Sequence, residues 1–359
     1  MDPEVKALIY LASSAVNRFV PNAEHIAAVD LDTLFNLAFI HQMTAITAAS
    51  LESAGIRELR FAQERMKTIR KILIMDSERK SILTAFENAQ IWYMPLKGVI
   101  LKDYYPQPGM REMCDNDILF DASRAKDVKA IMESLGFSTV HYGRRHQDDY
   151  QKPPVSNFEM HRMLVLPTNH VLTAYYEDID DRLLSVKGYE RRFSNEDFYI
   201  YMIVHEYKHF IWRGTGLRSL LDTYVFLHRF QDTLDFDYIR GEMQKIGMEA
   251  FEEKNRVLAM TIFQPDADLE MLSEEQKKQL EKYVVSGAYG NKVLQIQKDV
   301  EKWGKLGYIL RRVFIPMKTV KTAFPYFYEH KLLLPLLPIY RLILGSKNAR
   351  YEIKMLRKK

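Results

Sequence analysis

The chain of 359 residues has a single cysteine, Cys114. An internal disulfide is therefore excluded, and so is a cysteine-rich structural zinc site. A reducing, cytoplasmic setting is the expectation. Glycine and proline are sparse, at 15 and 13 residues, which removes collagen-like and low-complexity architectures. Long apolar runs are also missing. The longest, Leu332 to Leu344, is cut by Pro335, Pro338 and Arg341 and falls short of the ~20 apolar residues a spanning helix needs. The first residues carry Asp2 and Glu4 where a secretory signal is basic, so export is not expected.

What the sequence does hold is 47% hydrophobic and 27% charged residues, enough to build the cores of two or three compact units. Charge is unevenly spread. Residues 302–359 contain 14 Lys and Arg against only Glu329 and Glu352, while the rest of the chain has 37 basic and 45 acidic residues. A basic tail of this kind suits a phosphate-bearing or acidic partner: nucleic acid, an acidic protein, or an anionic membrane at which the protein would be peripheral.

Apolar spacing divides the chain into three regions. Residues 1–88 have helical periodicity throughout, notably over 29–54 and 59–88. Residues 89–193 change character. A short apolar and aromatic run ends at Lys97-Gly98 as a buried strand entering a turn, and a short helix follows until Pro106. Over Cys114 to Phe120 the period of two puts Asp115, Asp117 and Leu119 on one strand face and Asn116, Ile118 and Phe120 on the other. A helix over Ala122–Leu135 closes at Gly136, a strand covers Phe137–Tyr142, and polar residues 143–156 read as a hairpin or loop. The next strand carries Glu159, His161 and Met163 on a common face. Residues 194–359 return to helix, starting from Ser194 as N-cap with Asp197 in the first turn, and end in the basic tail.

The segment Leu96-Lys-Gly-Val-Ile-Leu-Lys-Asp-Tyr-Tyr-Pro, then Arg111, then Asp115-Asn-Asp117, resembles the uncharacterised bacterial nucleotidyltransferases that open on Leu-Lys-Gly, an outlying branch of the DNA polymerase beta-like superfamily. The resemblance extends to His205, His209, Arg218 and Asp222 and covers about residues 90–345. It implies an α+β fold: a nucleotidyltransferase-type mixed sheet flanked by helices, with helical N- and C-terminal regions. It also implies transfer of a nucleoside monophosphate from a nucleoside triphosphate to an unidentified acceptor hydroxyl or phosphate. In that family pattern Gly98, Asp115, Asp117 and Glu159 take the places of the glycine turn and the three carboxylates.

The residue types suit this chemistry. Carboxylates at i and i+2 on a strand, joined by a third, suit Mg²⁺ or Mn²⁺ together with phosphate oxygens. Asp115, Asp117 and Glu159 are thus the expected metal ligands and catalytic residues. Lys97, Gly98 and Arg111 are the expected phosphate handlers: Lys97 as a point charge, Arg111 through its planar fork, and the backbone N–H groups after Gly98 at a helix start. His161, His205, His209 and Arg218 are candidates for acceptor or phosphate contact. Structural readings stand beside these, a salt bridge for Lys97 or Arg111 and a core position for His161.

Two other functions fit the same residues. A non-catalytic nucleotide-binding or assembly protein could keep the frame. His205-Glu206-Tyr-Lys-His209 also matches H-E-x-x-H, the two-histidine zinc site of metallopeptidases. Against that reading, Trp212 and Thr215 stand where the extended motif needs Gly and His, leaving Asp222 as the nearby third ligand.

Overall fold

A computed structural model describes residues 1–143, 146–167, 169–212, 214–288, 292–315, 317, 320 and 324–344. The chain opens on four helices: α1 (Pro3–Asn17), α2 (Leu31–His41), α3 (Thr44–Ser53) and α4 (Leu59–Asn88). Their starts follow ordinary capping chemistry. The Asp30 carboxylate accepts from the Thr33 N–H at 2.6 Å and the Glu58 carboxylate from the Phe61 N–H at 2.9 Å, satisfying donors that a helix start leaves unpaired.

The central region alternates strands and helices: β1 (Tyr93–Pro95), α5 (Gly98–Leu101), β2 (Asn116–Phe120), α6 (Ala125–Ser134), β3 (Ser138–His141), β4 (Gln147–Lys152) and β5 (Ser156–His161). They form one mixed sheet in the order β1-β2-β5-β4-β3, in which β2 and β5 are parallel and every other pair antiparallel. The period of two holds through β2. Ile118 and Phe120 pack with Ile82 and Phe86 of α4 and Val128 and Met132 of α6. Leu119 packs on the opposite face. Asn116 belongs to the α4 side, where its side-chain oxygen accepts from Arg79 at 2.8 Å.

Strand β4 lies inside the polar stretch that reads as a hairpin or loop. It is the first arm of a hairpin with β5. Its polarity is compatible with a strand because its acids find partners: buried Asp148 accepts from Arg162 Nε at 2.9 Å and from the Gly143 N–H at 2.7 Å, and Asp149 pairs with His141 at 2.9 Å.

After α7 (His170–Tyr175) and the small ribbon of β6 (Leu184–Ser185) and β7 (Arg191–Arg192), the chain is helical: α8 (Asn195–Trp212), α9 (Leu217–Phe230), α10 (Phe236–Lys245), α11 (Glu249–Ile262) and α12 (Glu274–Ser286). The expected cap is present, with Ser194 Oγ accepting from the Asp197 N–H at 3.0 Å. Helices α1–α3 share one core with α9, α11 and α12, in which Leu8, Leu11 and Ile46 meet Leu220, Leu258 and Tyr283. Packing therefore divides the chain differently from composition: Met1–Tyr289 is one compact unit and Gly290–Lys359 a second.

The second unit contains α13 (Lys292–Val313), whose helical geometry breaks at Gly304 (φ 67°, ψ 164°), and two short helices, Pro325–Glu329 and Leu337–Leu344. Among the described residues no helix is long and apolar enough to cross a membrane. The last stretch of the basic tail, residues 345–359, lies outside the described residues.

One buried carboxyl ties the helical layer together. Glu206 of α8 accepts from the Tyr283 hydroxyl of α12 at 2.8 Å and from Asn255 Nδ2 of α11 at 3.0 Å. Burial pushes its pKa up to about 7, against an ordinary 4.5. The folded protein then holds a proton that the unfolded chain releases, so this group lowers stability as pH rises from about 4.5 to about 7, by about 3 kcal/mol in all. Glu206→Gln removes the ionisation. In urea titrations the wild type is expected to lose about 2–3 kcal/mol more than the variant between pH 5 and pH 8; parallel profiles would refute the buried-proton account.

Candidate functional site

The site begins where β1 ends. The Leu96 N–H donates to the Asp117 carbonyl at 2.9 Å, fastening the turn to β2. Lys97 then takes φ 45° and ψ −117°, a conformation that side-chain-bearing residues seldom adopt and that has a strain cost. The turn carries its ammonium to Asp117 Oδ1 at 3.0 Å. Gly98 is small for a packing reason: a Cβ there would lie 2.4 Å from Arg111 Nη1 and 3.0 Å from Met113 Sδ.

The phosphate-handling candidates are held as follows. Arg111 is buried, with Nε on Asp222 Oδ1 at 2.8 Å and Nη2 on Oδ2 at 2.9 Å, while Tyr105 donates to the same carboxylate at 2.8 Å. Two arms of its fork are taken by this ion pair, and Nη1, 3.2 Å from Met113 Sδ, belongs to a side chain that lines the cleft. The N–H groups after Gly98 are also engaged. Val99 donates to Leu96 O at 3.1 Å, and Ile100 and Leu101 to Lys97 O at 3.1 and 2.9 Å. These bonds close the single turn of α5 on itself.

The parallel pairing of β2 and β5 sets Asp117 opposite Glu159 and Leu119 opposite His161. His161 Nε2 lies 2.8 Å from Asp117 Oδ1 and 3.8 Å from Glu159 Oε2. Asp117, Glu159 and His161 each offer a ligand atom within 4.8 Å of the others, and among the described residues they are the only such group. Asp115 precedes β2 and lines the same cleft, but it stands outside this trio. The acidic centre therefore pairs the two expected strand carboxylates Asp117 and Glu159 with His161 in place of Asp115.

Crowding sets the charge states. Asp117 resists protonation despite burial, because Lys97 and His161 stabilise its anion and hold its pKa well below the carboxylate range. Burial and repulsion from Asp117 raise Asp115. The same two causes, with Asp115 added, push Glu159 up to about 7. For Lys97, burial disfavours the charge but Asp117 more than offsets it, so its pKa rises. His161 is lowered by burial, against the pull of Asp117; its Nδ1 is buried with no hydrogen-bond partner.

Helix α8 forms the facing wall. Tyr201, His205, Lys208 and His209 recur on one side at helical spacing, with the His205 and His209 Nε2 atoms 3.2 Å apart. Burial first, then the nearby charge of Lys97, pushes both His205 and Lys208 downward. Arg218, at the start of α9, donates to the Gln42 side chain and to the Glu112 carbonyl at 3.3 Å. The zinc-peptidase arrangement is not formed. Glu206 is committed to Tyr283 and Asn255, Asp222 to Arg111, and among the described residues no third ligand group includes the two histidines.

These residues enclose a cavity of ≈ 380 Å³ bordered by Lys97, Asp115, Asp117, Glu159, His205 and Arg218, a size that suits a small-molecule ligand. A larger one, ≈ 480 Å³, opens between α1 and residues 262–270. Its ionisable lining residues, Lys6, His25, Asp268 and Glu270, are not buried, so the charge chemistry resides in the smaller cavity.

The model of a family described as uncharacterised nucleotidyltransferase matches residues 27–264, a span running from ahead of α2 to the end of α11 and containing Lys97, Asp115, Asp117, Glu159, His161, His205, Lys208, His209 and Arg218. The chain belongs to this nucleotidyltransferase family. No curated protein and no solved structure gives a match. Sequence reasoning on this chain passed over Tyr201 and Lys208. The signal was available, since both share a helix face with His205 and His209, but the H-E-x-x-H pattern drew attention to Glu206 on another face.

The Arg111–Asp222 pair gives a stability prediction. Asp222→Asn would leave the guanidinium buried without its counter-charge and is expected to cost about 3–5 kcal/mol. Gly98→Ala, which presses on Arg111 and Met113, is expected to cost about 1–3 kcal/mol. Urea denaturation reads both; a loss below about 1 kcal/mol for Asp222→Asn would refute the structural assignment of Arg111.

Proposed function

We propose that this protein transfers a nucleoside monophosphate from a nucleoside triphosphate to an acceptor hydroxyl or phosphate, using a divalent metal ion. The observation that carries the reading is the Asp117–Glu159–His161 cluster, salt-bridged to Lys97 in the cleft of a nucleotidyltransferase-family chain. In the reaction the acceptor oxygen forms a bond to the α-phosphorus, the bond from that phosphorus to the bridging oxygen breaks, and pyrophosphate leaves. The lone cysteine supports a reducing, cytoplasmic location.

The donor set fits a divalent ion. Two carboxylates and an imidazole converge, and the charge is unbalanced, with three carboxylates around one lysine. Oxygen ligands suit Mg²⁺, and the imidazole makes Mn²⁺ equally acceptable. Asp117 and Glu159 would hold it, with His161 orienting Asp117 or joining them. When bound, the ion would supply neutralisation of phosphate charge and polarisation of the phosphoryl group.

The chain's own residues do the rest. Glu159, with a pKa near 7, is suited to take the acceptor's proton at a carboxylate oxygen near neutral pH. Lys97, now 3.0 Å from Asp117 Oδ1, would be the residue that turns to triphosphate oxygens once a bound cation neutralised that carboxylate. Lys208 and Arg218, with His205 and His209, line the side of the cleft where the rest of the triphosphate or the acceptor would lie.

A second reading has one observation in its favour. Lys97 already occupies Asp117 Oδ1, as in a nucleotide-binding protein that has given up catalysis. Two measurements separate the readings. Calorimetric titration of the four nucleoside triphosphates with Mn²⁺ is expected to show metal-dependent binding that falls at least about tenfold in Asp117→Asn; unchanged binding in that variant would remove the cluster from the site. Mn²⁺ titration without nucleotide, followed by electron paramagnetic resonance, is expected to show about tenfold tighter binding in Lys97→Met than in wild type, because the competing charge is gone. Equal affinities would show that Lys97 does not compete with the metal.

A further inference from the structure

The second compact unit turns its apolar side chains outward. After the break at Gly304, α13 buries Tyr308 and exposes Leu306 (71%), Ile309 and Leu310, with Phe314 (66%) just beyond the helix end. That is spacing i, i+3, i+4 and i+8, one helix face. The pattern recurs downstream. Leu337 is buried while Leu332 (95%) and Leu336 (54%), in the 3₁₀ turn Lys331–Leu336, and Ile339 (57%) and Tyr340, in the helix after it, are exposed. Arg341 Nη1 bonds the Val313 carbonyl at 3.1 Å, holding the two stretches in one body. A protein surface scatters single apolar residues, whereas aligned stripes mark an interaction face.

Charge selects what that face meets. Between Lys302 and Leu344 the sequence has eight Lys and Arg and one acid, Glu329. Exposed Trp303 lies between two of these cations, with Arg311 Cζ 3.7 Å and Lys302 Nζ 5.0 Å from its ring. Two copies meeting through this face would bring like charges together. A nucleic acid would leave Leu306, Leu332 and Ile339 against water. A bilayer surface with anionic headgroups satisfies both halves of the pattern: apolar side chains enter the acyl boundary, Lys and Arg stay at phosphate level, and Trp and Tyr occupy the interface between them.

We propose that the exposed side chains of residues 302–315 and 324–341 form an anionic-membrane docking surface, which holds the protein at a bilayer without spanning it. The inference rests on this unit alone and is independent of the reaction proposed above.

The test is co-sedimentation of the full chain with vesicles of phosphatidylcholine alone or mixed with phosphatidylglycerol. The bound fraction is expected to be about tenfold higher on the anionic vesicles and to fall in high salt. It is expected to fall about fivefold or more in Leu306→Ser/Leu310→Ser and in Leu332→Ser, while Asp117→Asn binds vesicles like the wild type. Absence of binding, indifference to anionic lipid, or leucine variants that bind undiminished would each overturn the proposal. So would light scattering that shows a dimer dissolved by the same leucine substitutions, since that would assign the face to a second copy.

Discussion

The site depends on how buried carboxylates are kept charged. Asp115, Asp117 and Glu159 share one cleft, and each makes the ionisation of the others harder. Only Asp117 escapes, because one of its oxygens accepts from both Lys97 and His161. An uncompensated buried charge is among the costlier features a fold can hold. The strained turn at Lys97 is the local consequence: that backbone brings the ammonium within 3.0 Å of Asp117. Gly98 follows from the same crowding, since the next residue must leave room for Arg111. Arg111 in turn needs Asp222 and Tyr105 to be tolerable in the interior.

The helical frame serves this cluster from both sides of the sheet. Beneath it, Arg79 of α4 holds buried Asn116 and so fixes the start of β2. Above it, α8 divides its surface between two tasks. One side carries His205, Lys208 and His209 into the cleft, and another anchors the helix through Glu206 to α11 and α12. Because the anchoring partners come from helices that also pack on α1–α3, the N-terminal helices contribute to placing the cleft wall, and Gln42 and Ala45 bond directly to its lining residues Arg218 and Glu112.

Much of this was legible in the sequence. Alternation through β2 separated Asp117 and Leu119 from Ile118 and Phe120, because a sheet covered on both faces leaves no freedom of register. The glycine turn and the Ser194 cap were readable for similarly local reasons. What escaped was non-local. Nothing near Arg111 announces that Asp222, on a helix far along the chain, will take its guanidinium. His161 is legible as a candidate beside Glu159 on its strand, but its contact with Asp117 comes only from the parallel pairing with β2. H-E-x-x-H misleads because the motif states a spacing, whereas the chemistry needs Glu206 free, and only its partners on α11 and α12 show that it is not.

The cleft's two walls carry opposite charge, which bears on the ligand of the proposed reaction. A bare divalent ion would satisfy the carboxylates while displacing Lys97 into a wall where Lys208 is already destabilised by it. A bare triphosphate would satisfy those cations but bring more negative charge to Asp115, Asp117 and Glu159. The metal–triphosphate complex of the proposed reaction would meet both walls at once, and each half would lower the cost of admitting the other, the carboxylates facing the cation and Lys97 and Lys208 facing the phosphates. Coupling of this kind is reciprocal. The two ligands should therefore bind more tightly together than either does alone, and the residue through which that coupling passes is Lys97.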